Sequence, residues 1–415
     1  MSKRQILSYT PIAAILSVAL LLRVWRLNLP TGYIFDEVYY AKNAASLISS
    51  FVELDENGNS EFVVHPPLGK WLIGLGIKIF GNNEFGWRIS SAIFGVLSIF
   101  LIYLIVKKLF ASESLALAAA FLLSFDGLNL VMSRVALLDI FLMVFILLTF
   151  YLLILNKYIL SGVAIGCALA VKWSAAFVII ALIIFVIIEQ KNNLRKLFNY
   201  LVSYTVVPLV VYLISWSGWI FTQNGWARQS EGNFLTSLWN NHLQILNFHR
   251  ELTQSHAYQA SPWSWLILGR PTSFFYSEAG DCGQSKCAQE ILAIGTPFLW
   301  WSAIFAVAIT FGFYITKKDK SAALILLGIA GTYLPWFAFQ DRPLFYFYSI
   351  TILPFLVLAI IYCFNLIITK RGTMQYLVIY TFLIGLNFVY LLPLFLGISI
   401  PYAEWLERMW LSSWI

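Results

Sequence analysis

Apolar windows of about 20 residues recur throughout this chain, the length a helix needs to cross a ~30 Å hydrocarbon layer. Inside such a layer every backbone polar group must be paired within the protein, which leaves only helices and closed barrels. The runs are continuously apolar rather than alternating, and this excludes a barrel. With 60% hydrophobic and 11% charged residues, an ordinary soluble protein is excluded too. The expected fold class is therefore an all-α polytopic membrane protein. Its 16 Trp and 21 Tyr suit rings anchored at both membrane interfaces. The net charge of +7 carries no implication of nucleic acid, because cytoplasmic loops collect Lys and Arg for topological reasons.

Eleven spans are expected near 8–28, 86–106, 112–127, 134–155, 159–172, 174–189, 198–217, 295–315, 321–338, 344–366 and 374–395. The first is too long for a signal-peptide core and has no small-residue cleavage site, so it reads as a retained span. The apolar stretch 68–81 is shorter and interrupted by Lys70 and Lys78, which fits an interfacial or re-entrant helix. Lys3 and Arg4 precede the first span and favour a cytoplasmic N-terminus. Basic clusters at 107–108, 191–196, 317–320 and 370–371 close alternate spans. The positive-inside bias puts them in the cytoplasm. The C-terminus is then external, in what we expect to be the plasma membrane. The chain reads as one integral-membrane domain, 1–415. Its external regions are loops at about 30–85 and 218–294 and a tail, 396–415, whose Trp405, Trp410 and Trp414 suit a helix lying in the interface.

The external regions hold the residues that could carry chemistry. Asp36 and Glu37 are adjacent carboxylates just beyond the first span. Adjacent positions do not share one face of a helix. One is therefore expected to enter a cavity while the other pairs with a base or a helix N-terminus. Capping the helix that starts near Val38 is the plainer alternative. A carboxylate at the outer face could act as general base towards a hydroxyl. Arg23, Arg26, Arg88, Arg134 and Arg342 gather near the same face, with Lys172 at an outer turn. Charge at membrane depth is costly and usually faces a cavity or a partner. The cluster points to a site for phosphate or another anion, although any single member could simply snorkel to headgroups. His65, His242, His249 and His256 form no metal-ligand pattern, and loop histidines of this kind are expected to hold backbone or substrate. Cys282 and Cys287 lie outside, where a disulfide is expected.

These motifs resemble the protein O-mannosyltransferases, the bacterial form most closely. The resemblance runs through Phe35-Asp36-Glu37 with Tyr39-Tyr40, His65-Pro66-Pro67-Leu68-Gly69-Lys70, Trp87-Arg88, Ser133-Arg134 to Asp139, and Val171-Lys172-Trp173-Ser174. It continues through Trp239 to His249, Pro262-Trp263-Ser264-Trp265, Leu334-Pro335-Trp336 and Phe345-Tyr346-Phe347-Tyr348. The β-trefoil domain of eukaryotic members is missing from the second external loop, as in bacterial relatives, and Val63 stands where the family often has an acid. The resemblance implies a glycosyltransferase of the GT-C type. Its donor would be mannose on a polyprenyl phosphate and its acceptors Ser or Thr hydroxyls of exported proteins, delivered by the export machinery. It implies Asp36 as the catalytic carboxylate with Glu37 as its paired acid, and Arg23 and Arg88 at the site. Arg134, Lys172, Arg342 and His65 complete the expected donor site. A phosphate leaving group needs positive charge rather than a proton donor, so neither a metal nor any other cofactor is expected. A related enzyme acting on a lipid or envelope glycan is the nearest alternative. A transporter or flippase would show internal repeats, which are not evident.

Overall fold

The computed structural model describes residues 3–230 and 232–415. Helices dominate. Six are long and apolar enough to cross a membrane: Glu84–Phe110, Leu194–Ser215, Pro297–Lys317, Lys320–Ala338, Leu353–Arg371 and Gln375–Leu396. Five shorter apolar helices, at Thr10–Val24, Glu113–Ser124, Asp139–Ile154, Tyr158–Val171 and Ala175–Gln190, fall on the other expected segments. Among the described residues six apolar stretches meet both the length and the composition of a crossing, one of them, Leu194–Ser215, as two consecutive helices.

Four helices frame the site: α1 (Lys3–Val24), α2 (Glu37–Ser50), α3 (Leu68–Phe80) and α4 (Glu84–Phe110). The expected interfacial helix is α3, which packs against α2 and α4. Asn83 caps α4 by accepting a hydrogen bond from the Gly86 amide. The α4 residue Arg88 lies near one end and Lys107-Lys108 at the other. Nineteen residues of helix put them about 28 Å apart, close to a membrane thickness.

Several boundaries differ from expectation for local reasons. Arg134 does not open a span. It sits in the link between the short helix Gly127–Met132 and the helix starting at Asp139. Asp126 creates that short helix by accepting from the Asn129 amide. The span expected at 198–217 is two helices, Leu194–Tyr204 and Val206–Ser215, meeting at Thr205. Pro208 has no N–H for the Tyr204 carbonyl, so the ladder is interrupted there. The span expected from 344 begins as a helix only at Leu353, after a 3-10 segment, Tyr346–Thr351.

An antiparallel sheet adds a feature that the all-α reading omits. Strands β1 (Thr272–Ser277), β2 (Cys287–Ala293) and β3 (Ile400–Pro401) pair in that order. Cys282 and Cys287 are joined as expected, closing the hairpin between β1 and β2. The tail is docked rather than lying free in an interface. The Trp405 indole donates to Glu290 at 2.6 Å, the Trp414 indole to the Leu268 carbonyl at 2.7 Å, and Arg270 to the Ser413 and Ile415 carbonyls. Trp405 and Trp414 are buried as a result.

Candidate active site

The Asp-Glu pair divides its roles. Glu37 is fully buried in the first turn of α2. It accepts two bonds from the Arg88 guanidinium at 2.8 and 2.7 Å, and two more from the Ile34 and Ala136 amides at 3.0 Å each. Nothing of this carboxylate is left for a substrate. Asp36 occupies the helix-capping position yet makes no capping bond. Its carboxylate has no hydrogen bond or ion pair among the described residues, and it is only half-buried. Burial lifts its pKa to about 6, against the pull of Lys172 and with a push from Asp139. The capping alternative is thereby set aside for Asp36, and a role as reacting acid for Glu37.

Asp36 is aimed by the residue before it. Phe35 adopts a positive φ of 48°, uncommon for a residue with a side chain. Its ring is held by Phe274 of β1 at 4.7 Å and by Phe347 at 5.5 Å between centroids. The sheet and the 3-10 segment thus grip the turn that presents the carboxylate.

The cations sort into two groups. Arg88 spends its remaining donors on the Leu27, Pro30 and Gly32 carbonyls at 3.0–3.2 Å. Arg134 donates to the Leu22, Arg23 and Trp25 carbonyls at 2.8–3.0 Å and to that of Arg26 at 3.4 Å, finishing the exposed end of α1. Arg23 is buried, bonded to the Ala19 carbonyl and the Asn129 amide oxygen. These three arginines brace α1 against its neighbours, and their recorded partners are backbone carbonyls, Asn129 and Glu37. Their fork-shaped donors match carbonyls of a helix end as well as they match an anion.

Lys172, Arg342 and His65 instead line one cavity of about 450 Å³, together with His249 and Tyr348. Lys172 pairs with Asp139 at 2.9 and 3.1 Å and lies 4.2 Å from the Tyr348 ring centre. Arg342 has no carboxylate partner among the described residues. Its one contact is with His249 Nδ1 at 3.4 Å, and its buried Nε is unpartnered. His249 lies 2.9 Å from the Val64 carbonyl through Nε2, so Nε2 carries the proton and Nδ1 accepts. Burial, with Arg342 and Lys172 nearby, lowers the His249 pKa to about 4 although the Val64 bond opposes this. His242 is likewise spent on backbone and a neighbour, reaching the Leu238 carbonyl and the Tyr212 hydroxyl, both at 2.8 Å.

Phe177 lines this cavity and also lines an apolar groove of about 790 Å³ between the helices Ala175–Gln190 and Lys320–Thr332, walled by Ile180, Ile184, Leu327 and Ala330. Cations at one end and an apolar groove leading away suit an amphiphile with an anionic head. Among the described residues, no three His, Cys, Asp or Glu side chains gather as a metal-ligand set.

Sequence reasoning gave no role to Asp139 or Tyr348, whereas His249 was expected to hold backbone or substrate and meets the Val64 carbonyl. Asp139 carried a usable signal, a lone carboxylate within Leu137-Leu138-Asp139-Ile140-Phe141. Tyr348 offered none beyond membership of an aromatic run.

With Asp36 as the base of the reaction proposed below, its raised pKa predicts a pH dependence. A base must be deprotonated, so kcat/KM should fall about tenfold per pH unit below about 6 and level off above it. His249, lowered to about 4, is largely neutral around pH 6 and contributes little to the limb there. A rate profile from pH 4.5 to 8 checks this. A plateau that extends unbroken to pH 4.5 would detach the limb from Asp36.

Comparisons with known proteins agree with this geometry. Residues 64–216 match the family described as dolichyl-phosphate-mannose-protein mannosyltransferase. Residues 234–414 match the C-terminal four-transmembrane region of protein-O-mannosyltransferase. The polyprenol-phosphate-mannose–protein mannosyltransferase of Mycobacterium tuberculosis is 29% identical, over 92% of this chain and 86% of its own length. That of Corynebacterium glutamicum is also 29% identical, over 92% and 88%. Among solved structures, the Saccharomyces cerevisiae protein O-mannosyltransferase Pmt1-Pmt2 complex bound to the sugar donor has a TM-score of 0.81 at 14% identity, covering 98% of this chain and 92% of that one. ArnT from Cupriavidus metallidurans bound to undecaprenyl phosphate has a TM-score of 0.59 at 16% identity, covering 92% and 70%.

Proposed function

The chain belongs to the protein O-mannosyltransferase family, and on that premise we propose that it transfers mannose from a polyprenyl-phosphate-mannose donor to Ser and Thr hydroxyls of exported proteins. The observation that carries this is the Asp36 carboxylate, without a hydrogen bond or ion pair among the described residues and with its pKa raised to about 6 near the Lys172 of a cationic cavity.

In the proposed reaction the acceptor oxygen attacks C1 of mannose. The bond from C1 to the phosphate oxygen breaks, and its electron pair leaves with the polyprenyl phosphate. The hydroxyl proton passes to Asp36. Lys172 and Arg342 meet the charge that grows on the phosphate, which is where fixed positive charge lowers a barrier. Direct displacement inverts C1. The apolar groove beside Phe177 takes the first part of the lipid tail.

The supporting test is label transfer by the purified chain from polyprenyl-phosphate-mannose to a Ser/Thr peptide, with a lipid acceptor offered in parallel. Label in the peptide is the expected result. Label in the lipid alone would favour the related enzyme class that glycosylates lipid or envelope glycans. Because cationic side chains face the donor phosphate, transfer should persist at its full rate after chelation. A strict requirement for added Mg²⁺ or Mn²⁺ would contradict this.

The reading places the reaction at the outer face of the plasma membrane, with the N-terminus inside and the C-terminus outside. Support comes from α4, whose basic end is about a membrane thickness from Arg88. Cysteines introduced at the exposed positions Asn57, Thr236 and Ser412 should all react with an impermeant reagent on intact cells. Protection of position 57 or 236 until the membrane is opened would put the site on the other side. Delivery of acceptors by the export machinery is part of the same proposal.

A further inference from the structure

His65 is held by its backbone and left free at its ring. The Val64 carbonyl on one side of it accepts from His249 Nε2 at 2.9 Å. Its own carbonyl accepts from the Lys70 ammonium at 3.2 Å. Lys70 is buried in the first turn of α3 and ion-paired with the buried Glu53. Burying that pair is costly, and among the described residues its further bond runs to the His65 carbonyl. The ring itself makes no hydrogen bond among the described residues, and Nδ1 is sealed from solvent without a partner. It lies 6.0 Å from the Tyr40 ring and 5.4 Å from the His249 ring, in the wall of the cavity that holds Lys172 and Arg342. A ring whose backbone is held on both sides, and which is itself unpaired in the wall of a cationic cavity, is placed to meet a ligand in that cavity.

The neighbours decide what kind of ligand. Burial first, and then Lys172, His249, Lys70 and Arg342, keep the imidazole pKa well below its ordinary value. A neutral imidazole donates from one nitrogen and accepts at the other. A phosphate offers only acceptors and is already matched by Lys172 and Arg342. A sugar hydroxyl both donates and accepts.

We propose that His65 hydrogen-bonds a hydroxyl of the donor's sugar and so reads which sugar is transferred, with Lys70 and His249 as the positioning residues that hold its backbone. This rests on the transferase reading above and names the side chain that would carry sugar selectivity in the same site.

The test pairs enzyme variants with donor analogues. Wild type, His65→Ala and His65→Asn are assayed with polyprenyl-phosphate-mannose and with its 2-, 3-, 4- and 6-deoxy forms. Wild type should lose about 10–100-fold in kcat/KM on one deoxy donor, the range for leaving a buried polar group unpaired. His65→Ala should be slowed on the natural donor by a similar factor and lose little more on that one deoxy form. His65→Asn should recover part of the discrimination. Lys70→Met should blur the same discrimination without moving it to another hydroxyl. Ratios between donors within one preparation cancel any loss of folded protein. If His65→Ala slows every donor by one common factor, His65 does not touch a sugar hydroxyl and the proposal is overturned. Wild-type transfer of mannose from the natural donor is the control, and its failure would strike the transferase reading instead.

Discussion

Asp36→Asn should abolish measurable transfer while donor binding stays within about twofold of wild type. Among the described residues the carboxylate makes no hydrogen bond or ion pair that the amide would break, and the change removes a half-buried charge rather than adding one. Thermal stability should therefore hold or rise slightly. Loss of a positioned base typically lowers a rate by about 10²–10⁴-fold. Binding of labelled donor and single-turnover transfer, measured on the same preparation, separate the two effects. A variant that still turns over near the wild-type rate would remove Asp36 from the chemistry.

The neighbouring pair should behave in the opposite way. Arg88→Ala or Glu37→Ala leaves one charge buried without its partner, at a cost of roughly 3–5 kcal/mol. Whole domains are commonly stable by only about 5–15 kcal/mol. Both variants should accumulate poorly and unfold at lower temperature in detergent. Arg88→Lys should recover little, because an ammonium cannot reproduce the two-pronged contact with Glu37 together with three carbonyl bonds. Stable, well-behaved Ala variants that lose donor affinity selectively would return Arg88 to the anion site.

This contrast shows how far the residues could be read in advance. Adjacency already implied that Asp36 and Glu37 would face different ways. Which one stays free depends on Arg88 and the Ala136 amide, 51 and 99 positions away in the chain. The arginine cluster was visible as charge near one membrane face, yet its use was not. The carbonyls that consume Arg88 and Arg134 come from the end of α1 and the turn after it, and backbone acceptors leave no mark on composition. Lys172, Arg342 and His65 reached the cavity as expected. His249 did so because a long helix, Phe234–Glu251, brings it to the Val64 carbonyl. The apolar runs located the helices well, since period and length decide them. The small sheet escaped notice because β1 and β2 are six and seven residues long and β3 only two. The first two form a local hairpin, and only the third brings in the tail.

Base-assisted direct displacement is tested most directly by the stereochemistry of one turnover. A polyprenyl-phosphate-mannose of defined anomeric configuration is offered to a single-Ser peptide, and the product linkage is read by NMR. With Asp36 as the base, mannose should appear on the Ser oxygen with the opposite configuration at C1, and the matching Ala peptide should receive none. Retention of configuration would require a covalent mannosyl-enzyme intermediate, with a carboxylate as nucleophile, and would contradict the role assigned to Asp36.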